Sequence, residues 1–251
     1  MSHGADAEDR VPPEPLIRLI GDTPEGFSGS GEEFLDHFRR LGGLGRRERV
    51  LYVGCGAGRI AIPLASYLAP DARYEGLDVI AEAIDWCDRH VAPRHPGFRF
   101  QLADVRNDRY NPAGAMPAAQ YVLPFAEGEF TFACAVSLFT HLLPDALANY
   151  VAELARVLEP GGRVLVTFFL LNDDSLSLIE GGEAALDFAH ERDGYRVNWA
   201  KEPESAVAYP QRDVITLFER AGFRIDDVHP GSWAGRTGCT SFQDLLVCHK
   251  R

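Results

Sequence analysis

The stretch LYVGCGAGRI, Leu51 to Ile60, decides how this chain folds. Apolar residues run into Gly54, Gly56 and Gly58, and apolar helical spacing follows at Ile60, Ala61, Leu64 and Leu68. A strand that ends on glycines and turns into a helix lets the backbone approach a ligand closely. The spacing is Gly-x-Gly-x-Gly. It differs from the Gly-x-Gly-x-x-Gly of dinucleotide turns, and no Gly-Lys-Ser/Thr follows, as a triphosphate loop requires. Pro63 falls in the first turn of the helix, where a missing N–H costs little.

Working outward, strands and helices alternate. Strand-like runs are ERVLYV (48–53), ARYEGLDV (72–79), FRFQLADV (98–105), EFTFACAVSLF (129–139) and GRVLVTFFLL (162–171). Helical spacing covers 59–68, 81–91, 144–158 and 211–221. EPGG at 159–162 stops the third of these. FRIDDVH (223–229) and FQDLLVCH (242–249) form a closing antiparallel hairpin. This order predicts an α/β fold: a doubly wound, mostly parallel seven-stranded sheet with an antiparallel last strand. Residues 1–15 are expected to be a flexible tail, and 16–251 a single domain. Residues 106–121 read as a loop. Residues 172–209 lack clear periodicity and are expected to be a substrate-side insertion.

Composition narrows the classes. Of the 251 residues, 37 are acidic and 25 basic, a formal net charge of −12. That disfavours a general nucleic-acid binder. The five cysteines, Cys55, Cys87, Cys134, Cys239 and Cys248, contain no Cys-x-x-Cys pair and read as reduced thiols of a cytoplasmic protein. No apolar run is long enough for a membrane span, and no signal-peptide pattern opens the chain.

Two carboxylates extend the glycine loop's meaning. Asp78 ends the second strand, twenty residues beyond Gly58, where a carboxylate accepts from both hydroxyls of a ribose. Asp104 ends the third strand, where it suits an adenine amino group, with the Val105 N–H available to a ring nitrogen. Either acid alone also reads as a cap or a solvated strand end. Three successive strand ends, each with a group for one part of a nucleoside, form a pattern.

These residues resemble the class I S-adenosylmethionine-dependent methyltransferases. LYVGCGAGR, YEGLDV and QLADV are similar to that family's first three motifs, and LPFAEGEFTFACAVSLFTHL to its fourth-strand region. ARVLEPGGRVLVTFF resembles the following helix, turn and strand, so the likeness covers about residues 48–171. The resemblance implies S-adenosylmethionine as cofactor. It implies that Gly54, Cys55, Gly56 and Gly58 approach its methionine portion, that Asp78 with Val79 holds the ribose, and that Asp104 with Val105 holds the adenine. Ser137 and Leu138 would then lie near the sulfonium and the acceptor.

Two positions depart from the family. Tyr52 stands where an acid usually helps bind the cofactor's amino group, so that recognition would fall to backbone or to the N-terminal segment. FSGSGEEFLDHF (27–38) would close over the site or simply pack as a helix on the sheet. Thr131 stands where an acid is common.

Methyl transfer needs alignment and exclusion of water, and a general base only where the acceptor must lose a proton. His141, in SLFTHLLPD, is the candidate base; its alternative role is packing before the 144–158 helix. His190, Tyr195 and His229 read as surface groups, and Trp233 as a packing anchor or pocket wall. Asn172, Asp173 and Asp174 invite comparison with catechol-type metal sites, but Ser137 stands where those need a carboxylate, so no metal is expected. Cys134 lacks a Pro-Cys pairing and reads as a small core residue. The expected function is methyl transfer to an oxygen or nitrogen of a small-molecule acceptor, without nucleic-acid or membrane partners. The alternatives are an RNA or protein methyltransferase and a non-catalytic cofactor-binding module.

Overall fold

The computed structural model describes residues 11–251. The predicted tail therefore lies mostly outside the described residues, and Glu14 already opens a helix, α1 (Glu14–Leu19). There follow α2 (Phe27–Arg40), β1 (Arg49–Val53), α3 (Ala61–Tyr67), β2 (Arg73–Asp78), α4 (Ala81–His90) and β3 (Phe98–Leu102). Next come β4 (Val105–Arg106), β5 (Met116–Pro117), β6 (Phe130–Ala135), α5 (Pro144–Val157), β7 (Leu158–Phe168) and β8 (Leu170–Leu171). The last are α6 (Asp173–Glu180), β9 (His190–Arg192), β10 (Tyr195–Val197), β11 (Val207–Pro210), α7 (Gln211–Arg220), β12 (Phe223–His229) and β13 (Asp244–Lys250).

The main sheet has seven strands in the order β12-β13-β7-β6-β1-β2-β3. β1, β2 and β3 pair in parallel, as do β6 and β7, while β13 runs antiparallel to both β7 and β12. This is the predicted doubly wound α/β sheet with its reversed last strand. The chain separates into two compact units, one ending at Asp104 and the other spanning Val105–Arg251.

The elements form where physical pattern demands them. In β7, Val164, Leu165 and Val166 are fully buried in succession, as a central strand covered on both faces requires. In α5, Leu147, Val151 and Leu154 are buried at helical spacing, and Pro144 occupies the first turn. Each such leucine contributes about 1.5–3 kcal/mol through burial.

The structure revises three expectations. The 129–139 strand ends at Ala135, because Ser137 adopts a left-handed conformation with φ 55° that no strand continues. The 162–171 strand splits: β7 stops at Phe168, and Leu170–Leu171 pairs with β11 instead. Finally, residues 172–209 are built rather than irregular. They contain α6 and most of a second sheet, ordered β8-β11-β10-β9. Its core joins Phe169, Leu171, Phe188, Ala206, Ala208 and Trp233, too few apolar residues per element to show as periodicity.

Candidate functional site

In the first unit the site is made of backbone. At the end of β1 the N–H groups of Gly54 and Cys55 both donate to the Leu77 carbonyl, at 2.8 and 2.9 Å. This bends the chain around the end of β2 and delivers Gly56 to Asp78. Gly56 N–H donates to Asp78 Oδ2 at 2.7 Å, and Ile80 N–H donates to Asp78 Oδ1 at 2.9 Å. Gly54, Gly56 and Gly58 all have positive φ, at 82°, 54° and 83°. Side chains rarely adopt such values, which is why this turn is written in glycine.

Asp78 is half-buried, and burial pushes its carboxyl pKa up, against the lowering effect of the Ile80, Gly56 and Val79 N–H groups. A carboxylate offers about four lone-pair positions, so two remain after the two N–H bonds. A pair of hydroxyl donors would complete its bonding, so the residues present fit a ribose.

The glycines do not share one role. A side chain at Gly56 would meet Ile20, with the nearest carbon at 3.4 Å. A side chain at Gly58 would meet Cys87 Sγ at 3.1 Å and Trp86 at 3.6 Å. Gly58 therefore lets the loop pack on α4, a structural task that the sequence reading merged with ligand approach. Cys55 is buried, and its thiol points at the Gly56 carbonyl at 3.7 Å. Val79 is half-buried and Asp104 exposed at the end of β3. The Ala103 N–H ties that end to the Asp78 carbonyl at 2.8 Å. Tyr52 is buried in β1 and stands opposite Gly76 in the parallel register.

One ion pair was not foreseen from the sequence. Asp22, in the loop between α1 and α2, accepts from Arg59 Nη1 at 2.8 Å, and both side chains are largely shielded. Arg59 directly follows the glycine loop. In the predicted covering segment, α2 packs against the same region: a side chain at Gly31 would lie 2.3 Å from the Arg59 carbonyl oxygen.

In the second unit the site is made of side chains. Ser137, just past β6, is one of two described non-glycine residues with positive φ. Its N–H donates to Thr167 Oγ1 at 2.7 Å and its hydroxyl to Gln243 Oε1 at 3.1 Å. Backbone strain of this kind persists only where neighbours hold it, and it concentrates at functional sites. Val105 is buried, and its carbonyl accepts from Asn111 Nδ2 at 3.1 Å.

His141 closes the turn Phe139–His141. Its Nδ1 lies 2.8 Å from the Glu204 carbonyl, which can only accept. Nδ1 therefore carries the proton of the neutral ring, and Nε2 keeps its lone pair. Burial pushes the pKa down from 6.5, opposed by the Glu204 carbonyl and reinforced by the Arg109 charge. Tyr110 meets the ring edge-on at 6.1 Å. The Glu204 carboxylate in turn accepts from Asn107 Nδ2 at 3.1 Å and Asp108 N–H at 3.3 Å, so the predicted loop 106–121 and the insertion are joined beside His141.

The remaining candidates have structural partners. Asn172 caps α6: its Oδ1 accepts the Ser175 N–H at 2.9 Å, and Ser175 Oγ accepts the Asn172 N–H at 2.9 Å, a reciprocal capping box. Asp174 pairs with Arg236 at 2.5 Å, while Asp173 lies in the first turn of α6. Trp233 is fully buried and donates to Asp244 at 2.7 Å, which makes it the packing anchor. Asp244 also accepts the N–H groups of Leu170 and Gly231, each at 2.7 Å. Cys134 is buried in β6, where burial pushes its thiol pKa well up. His190 opens β9, the Tyr195 ring lies tilted against Tyr209 at 6.0 Å, and His229 pairs with Asp227 at 3.3 Å.

The fold and the glycine-loop geometry are those of a nucleotide-type α/β site. Comparison with known proteins makes this specific. Residues 50–162 match the profile of a methyltransferase domain. A phthiotriol/phenolphthiotriol dimycocerosates methyltransferase of Mycobacterium ulcerans is 35% identical over 122 residues, 48% of this chain and 37% of that protein. An O-methyltransferase of Aspergillus nomiae is 28% identical over 130 residues, 51% of this chain and 49% of that protein. The chain thus spans less than half the length of these relatives. A crystal structure of an S-adenosylmethionine-dependent methyltransferase from Methanosarcina mazei superposes with TM-score 0.56 at 23% identity, covering 82% of this chain and 94% of that one, a likeness of fold. Residues 50–162, a little under half of this chain, thus resemble a methyltransferase domain, on a fold shared with S-adenosylmethionine-dependent methyltransferases.

Proposed function

We propose that the protein transfers a methyl group to an oxygen or nitrogen of a small-molecule acceptor. When bound, S-adenosylmethionine supplies an electrophilic methyl on a sulfonium. Everything else falls to the chain. The backbone of Gly54, Cys55 and Gly56 lines the methionine side, while Gly58 keeps the loop seated on α4. Asp78, with Val79 beside it, holds the ribose hydroxyls, and Asp104 with Val105 N–H takes the adenine edge. Ser137 stands near the acceptor.

The observation that carries the acceptor reading is the state of His141. It is shielded and neutral, its Nδ1 is anchored to a carbonyl, and its Nε2 carries a lone pair. That is the arrangement of a general base that removes a proton from a hydroxyl or protonated amine at neutral pH. The insertion that supplies Glu204 would shape the acceptor's surroundings. Two further observations favour a small acceptor: the net charge of −12 opposes a polyanionic substrate, and one relative is named a phthiotriol/phenolphthiotriol dimycocerosates methyltransferase and the other an O-methyltransferase.

Labelled S-adenosylmethionine offered with a panel of phenols, alcohols and amines, alongside RNA and protein fractions, tests the reading. Label is expected in the small-molecule fraction. Label confined to RNA or protein would sink it.

A further inference from the structure

The cofactor's amino-acid end is a zwitterion, and its ammonium needs an acceptor. In β1 the position where the family usually supplies a carboxylate is Tyr52, whose hydroxyl carries no charge at neutral pH. Asp78 already receives two backbone N–H groups and is the reading's ribose acceptor. Among the described residues of the first unit, one more shielded carboxylate lies next to the glycine loop.

That carboxylate is Asp22. The segment between α1 and α2 runs against the loop: Ile20 lies where a side chain at Gly56 would point, at 3.4 Å. Two residues later, Asp22 is paired with Arg59, the residue after Gly58. Its side chain is only 10% exposed, so its placement is not that of a solvated surface acid. Its orientation is fixed from two sides. Oδ1 accepts the Thr23 N–H at 2.7 Å, and Oδ2 accepts Arg59 Nη1 at 2.8 Å. The turn is tight: a side chain at Gly26 would meet Asp22 Oδ1 at 2.9 Å. Two acceptor positions on the carboxylate are left over.

We propose that Asp22 is the acceptor of the cofactor's ammonium, supplied by the N-terminal segment in place of an acid at Tyr52, with Arg59 as its positioning residue. The proposal rests on the cofactor lying along the glycine loop. The pairing with Arg59 holds the side chain aimed before the ligand arrives, which lowers the cost of ordering it on binding.

Calorimetry on the full chain tests this with two probes: S-adenosylhomocysteine and its analogue lacking only the amino group. Wild-type chain is expected to bind the deamino analogue ~10–100-fold more weakly, as for a lost charge-assisted hydrogen bond. Asp22→Asn is expected to weaken S-adenosylhomocysteine by a similar factor and to leave the deamino analogue nearly unchanged. Equal loss on both probes would reassign Asp22 to holding the segment in place and overturn the proposal, as would an unchanged affinity for S-adenosylhomocysteine. Should Asp22→Asn fail to fold, the wild-type comparison decides alone: equal affinity for the two probes overturns the proposal. A wild-type chain that binds neither probe would instead strike at the glycine-loop site itself.

Discussion

The glycine turn with Asp78 and the Ser137–His141 region do different work by different means. The first is built from N–H groups of neighbouring residues, and its hydrogen bonds link Gly56 and Ile80 to one carboxylate. The second is built from side chains drawn from far along the sequence: Thr167, Gln243 and Glu204 hold Ser137 and His141. A backbone-built site is rigid and tolerates few residue types. A side-chain-built site can be re-specified by substitution without rebuilding the turn, which suits the part of an enzyme that must match one acceptor.

If that contrast is right, substitutions in the two regions should fail differently. The largest effect is expected from Asp78→Ala, which removes the proposed ribose acceptor and leaves two N–H groups without their partner. Affinity for S-adenosylhomocysteine should fall at least ~100-fold, and unfolding in urea should report about 1–3 kcal/mol of lost stability. An unchanged affinity would break the first half of the comparison.

His141→Gln should act on turnover alone. Rate is expected to drop ~100-fold or more with cofactor affinity intact, the range for a lost general base. Full activity would return His141 to a packing role. Its pH behaviour sharpens the point. Because burial depresses its pKa below 6.5, the native state binds fewer protons than the unfolded chain between that depressed value and 6.5. Stability from this residue is therefore present above pH 6.5 and lost as pH falls through that window. Urea titrations of wild type and His141→Gln should converge toward acid pH, and the acid limb of wild-type activity should lie below 6.5.

Gly58→Ala should cost less and cost only stability. It forces a side chain to φ 83° and to within 3.1 Å of Cys87 Sγ, for about 1–3 kcal/mol in denaturant melts. The smallest effect is expected at Ser137→Gly. Relief of the left-handed strain offsets the lost bond to Gln243, leaving stability within about 1 kcal/mol of wild type. A large loss there would show that the hydroxyl, not the backbone, holds the turn.

Much of the fold was legible because the main sheet's signals are local. Runs such as Val164-Leu165-Val166, the glycines after β1 and Pro144 at the start of α5 each state their own conformation. The glycine turn was legible for the same reason. The second sheet was not: β9 and β10 have three residues each, too short for alternation to register, and their apolar partners sit in Trp233 and Phe169. Asn-Asp-Asp at 172–174 was ambiguous in one dimension, since a helix cap and a metal ligand use the same residue types. Ser175 three residues on was the available clue to the cap.

By itself, then, the sequence determined the order of strands and helices, the left-handed glycine turn and the acid at the end of β2, because each depends on residues within a few positions of one another. Tertiary structure alone decided which distant groups meet: Asp22 with Arg59, His141 with the Glu204 carbonyl, Ser137 with Gln243, separated by 37, 63 and 106 residues. The physical reason is that backbone conformation is a local property of residue type, whereas the protonation, tautomer and aim of a side chain are set by whatever the fold brings against it.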